Sequence, residues 1–535
     1  MWETRSLTPM TATHWSELHH SVTQDVVDRL VARVDVPSER PRIAVMAPFT
    51  ELMVADVPEA SAADAVAAVT RARAAQPGWA AVPVEERARA LFRFHDLLLE
   101  TADLAMDIVQ LEGGKARIPA FEEVYDTIAT ARYYARTGPR LLRRRRRAVS
   151  LPGFTTAYEY RHPHGVVVSI TPWNFPFTLA ISDILPALLA GNTVVLKPDE
   201  KTPLSALFGV LLLGEAGIPR DVIQVVTGYG EEIGDALIEH ADFINFIGST
   251  AVGRSVASRA AGKLIGSSME LGGKNAAIIL ADSDLDRAMP GISRAVFSNG
   301  GQLCISMERI YVDHRIKDEF IARFVDHTRQ LAMTPEFDFS STMSSMITRE
   351  HLESVHAHVE DAVAKGATLL TGGKPRPDIG PLFYDPTVLT DVDETMMLCR
   401  AETFGPVVSV YGFRDVAEAV ALVNESDLGL NHSVWTRDTR RGVEVAAGLQ
   451  AGSVGVNDGY AAVWSSYDAP MGGMKSSGLA RRHGSIGLLK FTEPQTVAVQ
   501  RVIPAFAPPP GLSYPGYQRI LGPLLRMLKR LPFYK

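Results

Sequence analysis

The stretch VVVSITPWNFPF, residues 166–177, joins a short run of β-branched residues to a turn that contains two prolines and three aromatic side chains. Four similar apolar runs follow at intervals of roughly 25 residues, with amphipathic helical segments between them. These runs are NTVVL (192–196), VIQVV (222–226), FINFI (243–247) and AAIIL (276–280). Such an alternation predicts an α/β fold with a parallel, doubly wound sheet between residues 166 and 280.

A second αβ alternation begins near residue 309. It contains RIYVD (309–313), a helical segment around residues 316–331 and VVSVYGF (407–413). This pattern predicts a second sheet domain. Ahead of both sheets, residues 59–137 have helical periodicity, and Pro77 and Gly78 are expected to end the first of these helices.

Composition limits the classes of protein to which the chain can belong. With 535 residues, the chain is long enough for two to four domains, and its net charge of −7 argues against nucleic acid as the main partner. The two cysteines, Cys304 and Cys399, cannot form a disulfide framework, and no cluster of ligands has metal-site spacing. The N-terminus has no apolar signal region, and the longest uncharged apolar run, residues 202–214, is shorter than the roughly 20 residues of a membrane span. We therefore expect a cytoplasmic protein that acts on a small molecule and has no metal.

Several segments lie outside the two sheets. Residues 148–162 and 491–502 have the pattern of isolated strands that could pair with each other or with another subunit. Arg143 to Arg147 favour a solvated loop over a polyanion site. The tail from residue 517 onward is basic and amphipathic, and Pro523 is expected to interrupt its helix early. Docking of this tail on its own or a neighbouring subunit is favoured over contact with an anionic membrane surface.

Polar motifs follow the ends of the predicted strands, where doubly wound sheets bind ligands. An isolated Cys such as Cys304 is more often an inert buried residue than a nucleophile. Here, however, it ends the turn SNGGQLC (298–304), whose small, flexible residues expose backbone. A helix that began directly after Cys304 would lower the pKa of its thiol.

Together the motifs resemble those of the aldehyde dehydrogenase superfamily over roughly residues 30–500. The matching motifs, in order, are TPWNFP with Asn174, LKPDEKTP with Lys197, GSTAVG with Gly248 and Gly253, ELGGKN with Glu270, GQLC with Cys304, ETFGP with Glu402, and PMGGMKSSG. The sequence is most similar to the branch named succinate-semialdehyde dehydrogenase (NADP+). A homo-oligomer, either a dimer or a tetramer, is implied by this resemblance.

The resemblance also implies a catalytic set. Cys304 would attack the aldehyde carbon to form a thiohemiacetal, and the Asn174 amide and the Cys304 backbone N–H would stabilise its oxyanion. Glu270 would act as the general base that activates water for hydrolysis of the thioester. The presence of Glu270 favours release of a free acid over transfer to coenzyme A, and all three residues argue against a non-catalytic binding protein of the same fold.

The resemblance implies a nicotinamide dinucleotide site as well. Lys197 would reach the adenosine ribose, the helix after Gly248 and Ser249 would face the pyrophosphate, and Glu402 would bind the nicotinamide ribose. The full implied set is Trp173, Asn174, Lys197, Pro198, Asp199, Glu200, Gly248, Ser249, Leu271, Glu402 and Phe404. Glu200 favours NAD+, whereas the branch resemblance favours NADP+, so we predict dual use with a preference for NAD+.

Two serines leave the sequence compatible with either an acidic or a neutral aldehyde. Succinate-semialdehyde enzymes of this family carry arginines at the positions of Ser182 and Ser298, and their loss predicts weaker selection of an acidic aldehyde. Phe177 and Trp464 are assigned to the same pocket. The aromatic residues Trp173, Phe177, Tyr460 and Trp464 would suit a neutral aliphatic or aromatic aldehyde. Succinate semialdehyde and neutral aldehydes thus both stay open as substrates.

The resemblance also sets the predicted domain boundaries. Residues 1–147 and 163–270 form the dinucleotide-binding domain, and residues 271–484 form the domain that carries the thiol. Residues 148–162 and 485–503 are oligomerisation segments, and residues 504–535 are the basic tail.

Overall fold

The structure, a computed structural model, describes residues 21–151, 154–501 and 507–530. Predictions for the N-terminal residues 1–20 and for part of the tail, residues 502–506 and 531–535, lie outside these described ranges, as do residues 152–153 of the first isolated strand segment. Within the described ranges, two large sheets carry helices on their faces, and smaller antiparallel sheets lie beside them.

The first large sheet has six strands and the predicted doubly wound order. In spatial order they are Gly478–Leu479, Gly266–Glu270, Phe243–Ile247, Val166–Ile170, Thr193–Lys197 and Ile223–Val225. The strands from Gly266–Glu270 onward are mutually parallel, whereas Gly478–Leu479 pairs antiparallel with its neighbour. The chain order reverses between Val166–Ile170 and Phe243–Ile247, and a crevice at such a reversal is where doubly wound sheets bind nucleotides.

Helices surround this sheet, and a β-hairpin follows the first of them. The helices are Gln24–Val31, Ala62–Ala81, Val84–Glu100, Ala102–Gly113, Arg117–Leu142, Pro176–Ile181, Ile184–Ala190, Pro203–Glu215, Gly230–His240 and Thr250–Gly262, and the hairpin strands are Arg42–Ala47 and Leu52–Pro58. The prediction that Pro77 and Gly78 end the first long helix was wrong, because Ala62–Ala81 continues past both. Its last turn is anchored by Trp79, which is buried and donates its indole N–H to the carbonyl of Leu188 at 2.9 Å.

The second large sheet has seven strands. In spatial order they are Thr368–Thr371, Thr387–Thr390, Val407–Phe413, Met307–Asp313, Asn275–Ile279, Asn431–Trp435 and Ser453–Val456. Only the edge strand Thr368–Thr371 runs antiparallel to its neighbour. The run AAIIL, which we expected to extend the first sheet, lies instead in the middle of this one, because the chain crosses between the sheets at Leu271–Lys274. Helices of this half are Leu285–Phe297, Lys317–Arg329, Arg349–Ala364, Met397–Arg400, Val416–Asn424, Thr439–Ala447 and Ala461–Trp464.

The two isolated strand segments pair with each other. Thr492–Gln500 runs antiparallel to Thr155–Pro163 over nine residue pairs, and Arg145–Arg147 adds a third strand on the other side. The prediction that the arginine run forms a loop was therefore wrong in part. These charges are compatible with an edge strand because their side chains are largely exposed and Arg147 bonds to Glu159 of the neighbouring strand at 2.6 Å.

The described part of the tail forms the helix Tyr514–Leu528, which includes Pro523. The expected early interruption at Pro523 was wrong, since this helix is largely exposed and water can bind the carbonyl that proline leaves without an N–H partner. Nowhere in the described ranges does a helix have both the length and the apolar composition that a bilayer crossing requires.

Candidate active site

Cys304 lies between the two large sheets, in the turn that follows Ser298–Gly301 and precedes the strand Met307–Asp313. Its side chain is partly exposed and packs against an apolar cluster that includes Phe175, Leu303 and Tyr460. The backbone carbonyl of Cys304 accepts a hydrogen bond from the side chain of Asn275 at 2.7 Å. The backbone of Cys304 is thus held by the strand Asn275–Ile279 of the second sheet.

The turn before Cys304 is tightly packed, which corrects our expectation of a flexible segment. Asn299, Gly300 and Gly301 all have positive φ, and a Cβ atom on Gly301 would lie 2.0 Å from the carbonyl oxygen of Gly405. The Gln302 side chain closes the turn: its amide donates to the carbonyl of Asn299 at 3.0 Å. The small residues therefore serve close packing and a left-handed backbone rather than mobility.

The prediction of a helix start after Cys304 was wrong, since a turn leads directly into the strand Met307–Asp313. No helix dipole therefore lowers the pKa of the thiol at this position. Burial raises the pKa of Cys304 to about 12, and the carboxylates of Glu402 and Glu270 add to this effect. The thiol is therefore protonated at neutral pH, and other groups of the site have to promote the loss of its proton.

Asn174 is positioned beside the Cys304 turn from the other sheet. It follows the strand Val166–Ile170, is buried, and donates one amide hydrogen to the carbonyl of Gln302 at 3.2 Å. Its own backbone carbonyl accepts from the Asn299 side chain at 3.1 Å. The amide carries a second hydrogen. Because the side chain is held in place, this hydrogen can be donated to the oxyanion of an intermediate that is bonded to the sulfur.

Glu270 ends the strand Gly266–Glu270 and is buried. Its Oε1 has no hydrogen-bond partner among the described residues. Burial raises the pKa of Glu270 to about 8, although the nearby cations Lys490 and Arg482 oppose this effect. A carboxyl with a pKa in this range can accept a proton from water near neutral pH, which is the requirement for a general base.

A buried ion pair that the sequence analysis missed lies close to Glu270. Arg482 donates from Nε to Oδ1 of Asp183 at 2.7 Å, and both side chains are almost fully buried. The positive charge of Arg482 partly counteracts the effect of burial on the pKa of Glu270. Neither residue has a motif signal, because they lie 299 positions apart and meet only in the folded chain.

Lys197 and Glu200 lie at the end of the strand Thr193–Lys197. The buried Lys197 ammonium donates to the Pro198 carbonyl at 3.3 Å and to Oε2 of Glu200 at 3.4 Å. Lys201 donates to the other oxygen of Glu200 at 2.8 Å and to Asp199 at 3.3 Å. Burial acts to raise the pKa of Glu200, but Lys197 and Lys201 outweigh it, so that its pKa lies below the usual value. Glu200 therefore presents an ionised acceptor suited to ribose hydroxyls.

The helix Thr250–Gly262 begins at the end of the neighbouring strand Phe243–Ile247. Ser249 caps this helix by accepting from the backbone N–H of Val252 at 3.4 Å. Gly253 allows close packing in the first turn, because a Cβ there would lie 2.2 Å from Cδ2 of Leu271. Gly248, Ser249 and the helix N-terminus thus lie on the crevice side of the sheet, where backbone N–H groups favour an anion.

Glu402, Phe404 and Trp173 form a third part of the crevice. Glu402 accepts a hydrogen bond from the backbone N–H of Gly273 at 2.8 Å, and burial raises its pKa to about 8. The Phe404 ring contacts the Trp173 ring edge to face at 5.6 Å. Phe404 has a φ of 55°, and its backbone N–H donates to Oε1 of Glu308 at 2.9 Å, which holds this unusual conformation.

A cavity of about 200 Å³ lies next to the apolar cluster around Cys304. Aromatic rings form most of its wall, together with two acidic residues and one arginine. The lining residues are Phe121, Glu122, Tyr125, Asp126, Phe175, Arg294, Tyr460, Ala461, Trp464, Ser465 and Tyr467. Phe175 and Tyr460 of the apolar cluster, together with Trp464, which packs against it, thus line the cavity, and Cys304 packs against the same cluster.

The structure places the four predicted pocket residues differently. Trp464 lines the cavity, whereas Phe177 is fully buried in the core of the first sheet domain and is not among the residues that line this cavity. Ser182 is buried behind the wall and donates to Asp126 at 3.5 Å. Ser298 is buried next to Tyr460.

The sequence analysis missed most of the cavity wall. Phe121, Glu122 and Tyr125 come from the helix Arg117–Leu142, and Arg294 comes from the helix Leu285–Phe297. No local pattern relates these helices, since their side chains meet across 172 positions of sequence. Among the described residues, no group of three or more His, Cys, Asp or Glu side chains could hold a metal ion.

The doubly wound crevice, the partly exposed thiol and the buried amide and carboxyl beside it define an oxidoreductase-type site that combines a nucleotide cleft with a cysteine. The sequence model of the aldehyde dehydrogenase family matches residues 36–497, and the chain belongs to this family. Oxidation of an aldehyde with NAD(P)+ is the reaction of this family.

Individual relatives agree with this result. A protein of Mycolicibacterium smegmatis named "Putative succinate-semialdehyde dehydrogenase (NADP+)" is 48% identical over 503 residues, which cover 94% of this chain and 97% of that protein. The solved NAD-dependent aldehyde dehydrogenase of Sinorhizobium meliloti is 35% identical, with a TM-score of 0.83 over 89% of this chain and 94% of that one. A betaine aldehyde dehydrogenase of Staphylococcus aureus in complex with NAD+ is 30% identical, with a TM-score of 0.85 over 90% of this chain and 97% of that one.

Proposed function

We propose that this protein oxidises an aldehyde with an uncharged, apolar or aromatic tail to the free carboxylic acid, with NAD+ preferred over NADP+. The observation that carries the proposal is a cavity with a mostly aromatic wall, which includes Phe175 and Tyr460 of the apolar cluster that contacts Cys304. Aromatic walls favour apolar tails because such tails lose little by leaving water. Among the described residues that line this cavity, Arg294 is the only basic one, and Glu122 already forms an ion pair with it.

Cys304 performs the covalent step in this proposal. Its thiolate attacks the carbonyl carbon of the aldehyde, and the new tetrahedral carbon carries an oxyanion. The second amide hydrogen of Asn174 and the backbone N–H of Cys304 stabilise that oxyanion. Because the pKa of the thiol is raised to about 12, removal of its proton has to be assisted by a nearby base.

The crevice residues fit a nicotinamide dinucleotide. Glu200 offers an ionised carboxylate to ribose hydroxyls, the Thr250–Gly262 helix offers N–H groups to a pyrophosphate, and Glu402 lies at the other end, next to Gly273. When bound, this group supplies the hydride acceptor for the thiohemiacetal. The negative charge of Glu200 disfavours a 2′-phosphate at the adenosine ribose, which supports the preference for NAD+.

Glu270 completes the reaction by releasing the product. Its carboxylate takes a proton from water, and the hydroxide that forms attacks the thioester carbonyl and breaks the carbon–sulfur bond. The acid leaves, and Cys304 regains its thiol proton. The raised pKa of Glu270 suits this role, because a base with a pKa near 8 both accepts and returns a proton easily at neutral pH.

A second candidate substrate is succinate semialdehyde, which is favoured by the name of the Mycolicibacterium smegmatis relative. The structure of the cavity argues against strong selection of this acid. The positions of the two expected arginines hold Ser182 and Ser298, and Ser182 lies beside the carboxyl of Asp126. Two lost charge-assisted hydrogen bonds would reduce the preference for an acidic tail on the order of a hundredfold or more.

The test compares kcat/KM for pentanal and for succinate semialdehyde, with NAD+ in one series and NADP+ in the other. We expect pentanal to equal or exceed succinate semialdehyde, and NAD+ to exceed NADP+. A preference of about a hundredfold for the acid would refute the apolar-tail proposal and support the second candidate. Cys304→Ala is the control, since activity that survives this change does not come from the site.

A further inference from the structure

We infer that Glu122 sets the charge preference of the enzyme by holding Arg294 in an ion pair, so that Arg294 does not capture a carboxylate on the tail of the aldehyde. This inference rests on the proposed function, because it assumes that the cavity beside Cys304 receives the tail. It adds that the charge preference can be reversed by a change at one residue.

The inference begins with the geometry of three side chains at the cavity wall. Arg294 and Glu122 form an ion pair, and the Tyr460 hydroxyl donates to both oxygens of Glu122, at 3.0 and 3.2 Å. The Arg294 guanidinium also lies 5.7 Å from the centre of the Tyr460 ring. Each member of the cluster therefore contacts the other two.

The exposure of the pair shows which partner a substrate can reach. The Glu122 side chain is 16% exposed, whereas that of Arg294 is 49% exposed. Burial acts to lower the pKa of Arg294, but Tyr460 and Glu122 outweigh it, so that the pKa is raised and the guanidinium stays charged. Arg294 is therefore a permanent cation within reach of a substrate, and the more deeply placed Glu122 neutralises it.

An acidic tail would gain little from this cluster. To bind Arg294 it would have to share the guanidinium with Glu122 or displace it, and the two carboxylates would then repel each other. Displacement of Glu122 would leave it with Tyr460 as its remaining partner in the cluster. The buried Asp126, whose Oδ1 accepts from Tyr467 at 3.1 Å, adds a second acidic group to the same wall.

A neutral amide at position 122 changes this balance. In Glu122→Gln the side chain keeps nearly the same size and can still accept from Tyr460, but it no longer neutralises Arg294. The guanidinium has a planar set of N–H donors that matches a carboxylate, and it is partly desolvated by the aromatic wall. The variant should therefore bind an aldehyde with an acidic tail better than the native enzyme does.

The experiment measures the ratio of kcat/KM for succinate semialdehyde to kcat/KM for pentanal. We expect Glu122→Gln to raise this ratio by about tenfold or more, mainly through a lower KM for the acid, because the tail lies away from the reacting atoms. Adding Arg294→Gln to this variant should return the ratio to near its native value. The matched control is Glu319→Gln. This change breaks an exposed ion pair in which Glu319 lies 2.7 Å from Arg323, and it should leave the ratio unchanged.

An unchanged or lower ratio in Glu122→Gln, with pentanal turnover retained, would overturn the inference. If that variant does not fold, as judged by thermal melting, the double variant Glu122→Gln with Arg294→Gln decides, because it removes both charges and leaves no unpaired carboxylate at the wall. A ratio that stays within about threefold of native supports the inference, because an arginine held by Glu122 contributes little to acid binding. A fall of about tenfold would overturn it, since Arg294 would then already bind the acid in the native enzyme.

The native ratio separates this inference from the proposed function. A native enzyme that strongly prefers the acid would refute the apolar-tail proposal. If that preference were insensitive to Arg294→Gln, the inference about Glu122 would still be supported, and another cation would have to bind the tail.

Discussion

Replacement of Glu270 by glutamine should stop the enzyme after hydride transfer. With a pKa of about 8, the Glu270 carboxyl is ionised in about a tenth of molecules at pH 7 and in about nine tenths at pH 9. If hydrolysis of the thioester limits turnover, kcat of the native enzyme should rise by about tenfold between these pH values and level off above them. The value of kcat should rise rather than fall with pH, because only the ionised carboxylate of Glu270 can accept a proton.

In Glu270→Gln the pH-dependent step should disappear, and steady-state turnover should fall by roughly 10²- to 10⁴-fold, the usual contribution of a general base. Formation of the thioester should persist, since the variant retains Cys304 and Asn174. It also loses one of the carboxylates that raise the pKa of the thiol. The first turnover should therefore be no slower than in the native enzyme.

The assay is stopped-flow measurement of NADH absorbance from pH 6.5 to 9.5, which resolves a burst of one NADH per site from the steady state. The native enzyme and Glu319→Gln should show the same steady-state profile, because Glu319 is an exposed residue of the helix Lys317–Arg329 and does not line the cavity. Loss of burst and steady state together in Glu270→Gln would refute the argument, since Glu270 would then act before the thioester forms. Persistence of the pH step in the variant would refute it as well.

Two further predictions concern the dinucleotide crevice. Glu200→Ser should raise the ratio of NADP+ to NAD+ in kcat/KM by about tenfold or more, because it removes a carboxylate and leaves two lysines nearby; no shift would exclude Glu200 as the determinant. Gly253→Ala should weaken NAD+ binding in a fluorescence titration and cost about 1–3 kcal/mol in unfolding free energy, because the new Cβ would lie 2.2 Å from Cδ2 of Leu271. Gly262→Ala in the same helix is the control and should not destabilise the protein, since no atom lies within 4 Å of its Cβ position; equal losses in both variants would contradict the packing argument.

Most of the two sheets could be predicted because their strands are short, β-branched and buried on both faces, which gives a signal that needs no tertiary information. The run at 276–280 was assigned to the first sheet since its pattern is the same in either sheet, and only the crossing at Leu271–Lys274 decides between them. Pro77 and Pro523 were wrongly expected to end or interrupt their helices. A helix tolerates proline where tertiary contacts or water compensate for the missing hydrogen bond.

The catalytic and crevice motifs were accessible for a different reason. They follow strand ends, and a doubly wound sheet brings strand ends to one edge. The aromatic cavity had no such signal. Glu122 and Arg294, which form an ion pair in its wall, lie on two different helices and are 172 positions apart in sequence. The apolar periodicity of each helix predicts only that the helix has a buried face. The environment of Cys304 was mispredicted because a turn that leads into the strand Met307–Asp313 follows it, where a helix start was expected.

The edge strand Gly478–Leu479 of the first sheet comes from the end of the segment that we assigned to the thiol domain, and Thr492–Gln500, which follows that segment, pairs with Thr155–Pro163. The dinucleotide half is consequently discontinuous in sequence, and a fragment that ends at residue 270 would lack the partners of two of its strands. Exchange of substrate specificity between relatives should therefore transplant an internal cassette of residues 271–477 rather than a C-terminal half. In such a recombinant protein, the strands Gly478–Leu479 and Thr492–Gln500 come from the same parent as the dinucleotide half. The two junctions lie next to Glu270 and ahead of Gly478, where the chain crosses between the two sheets.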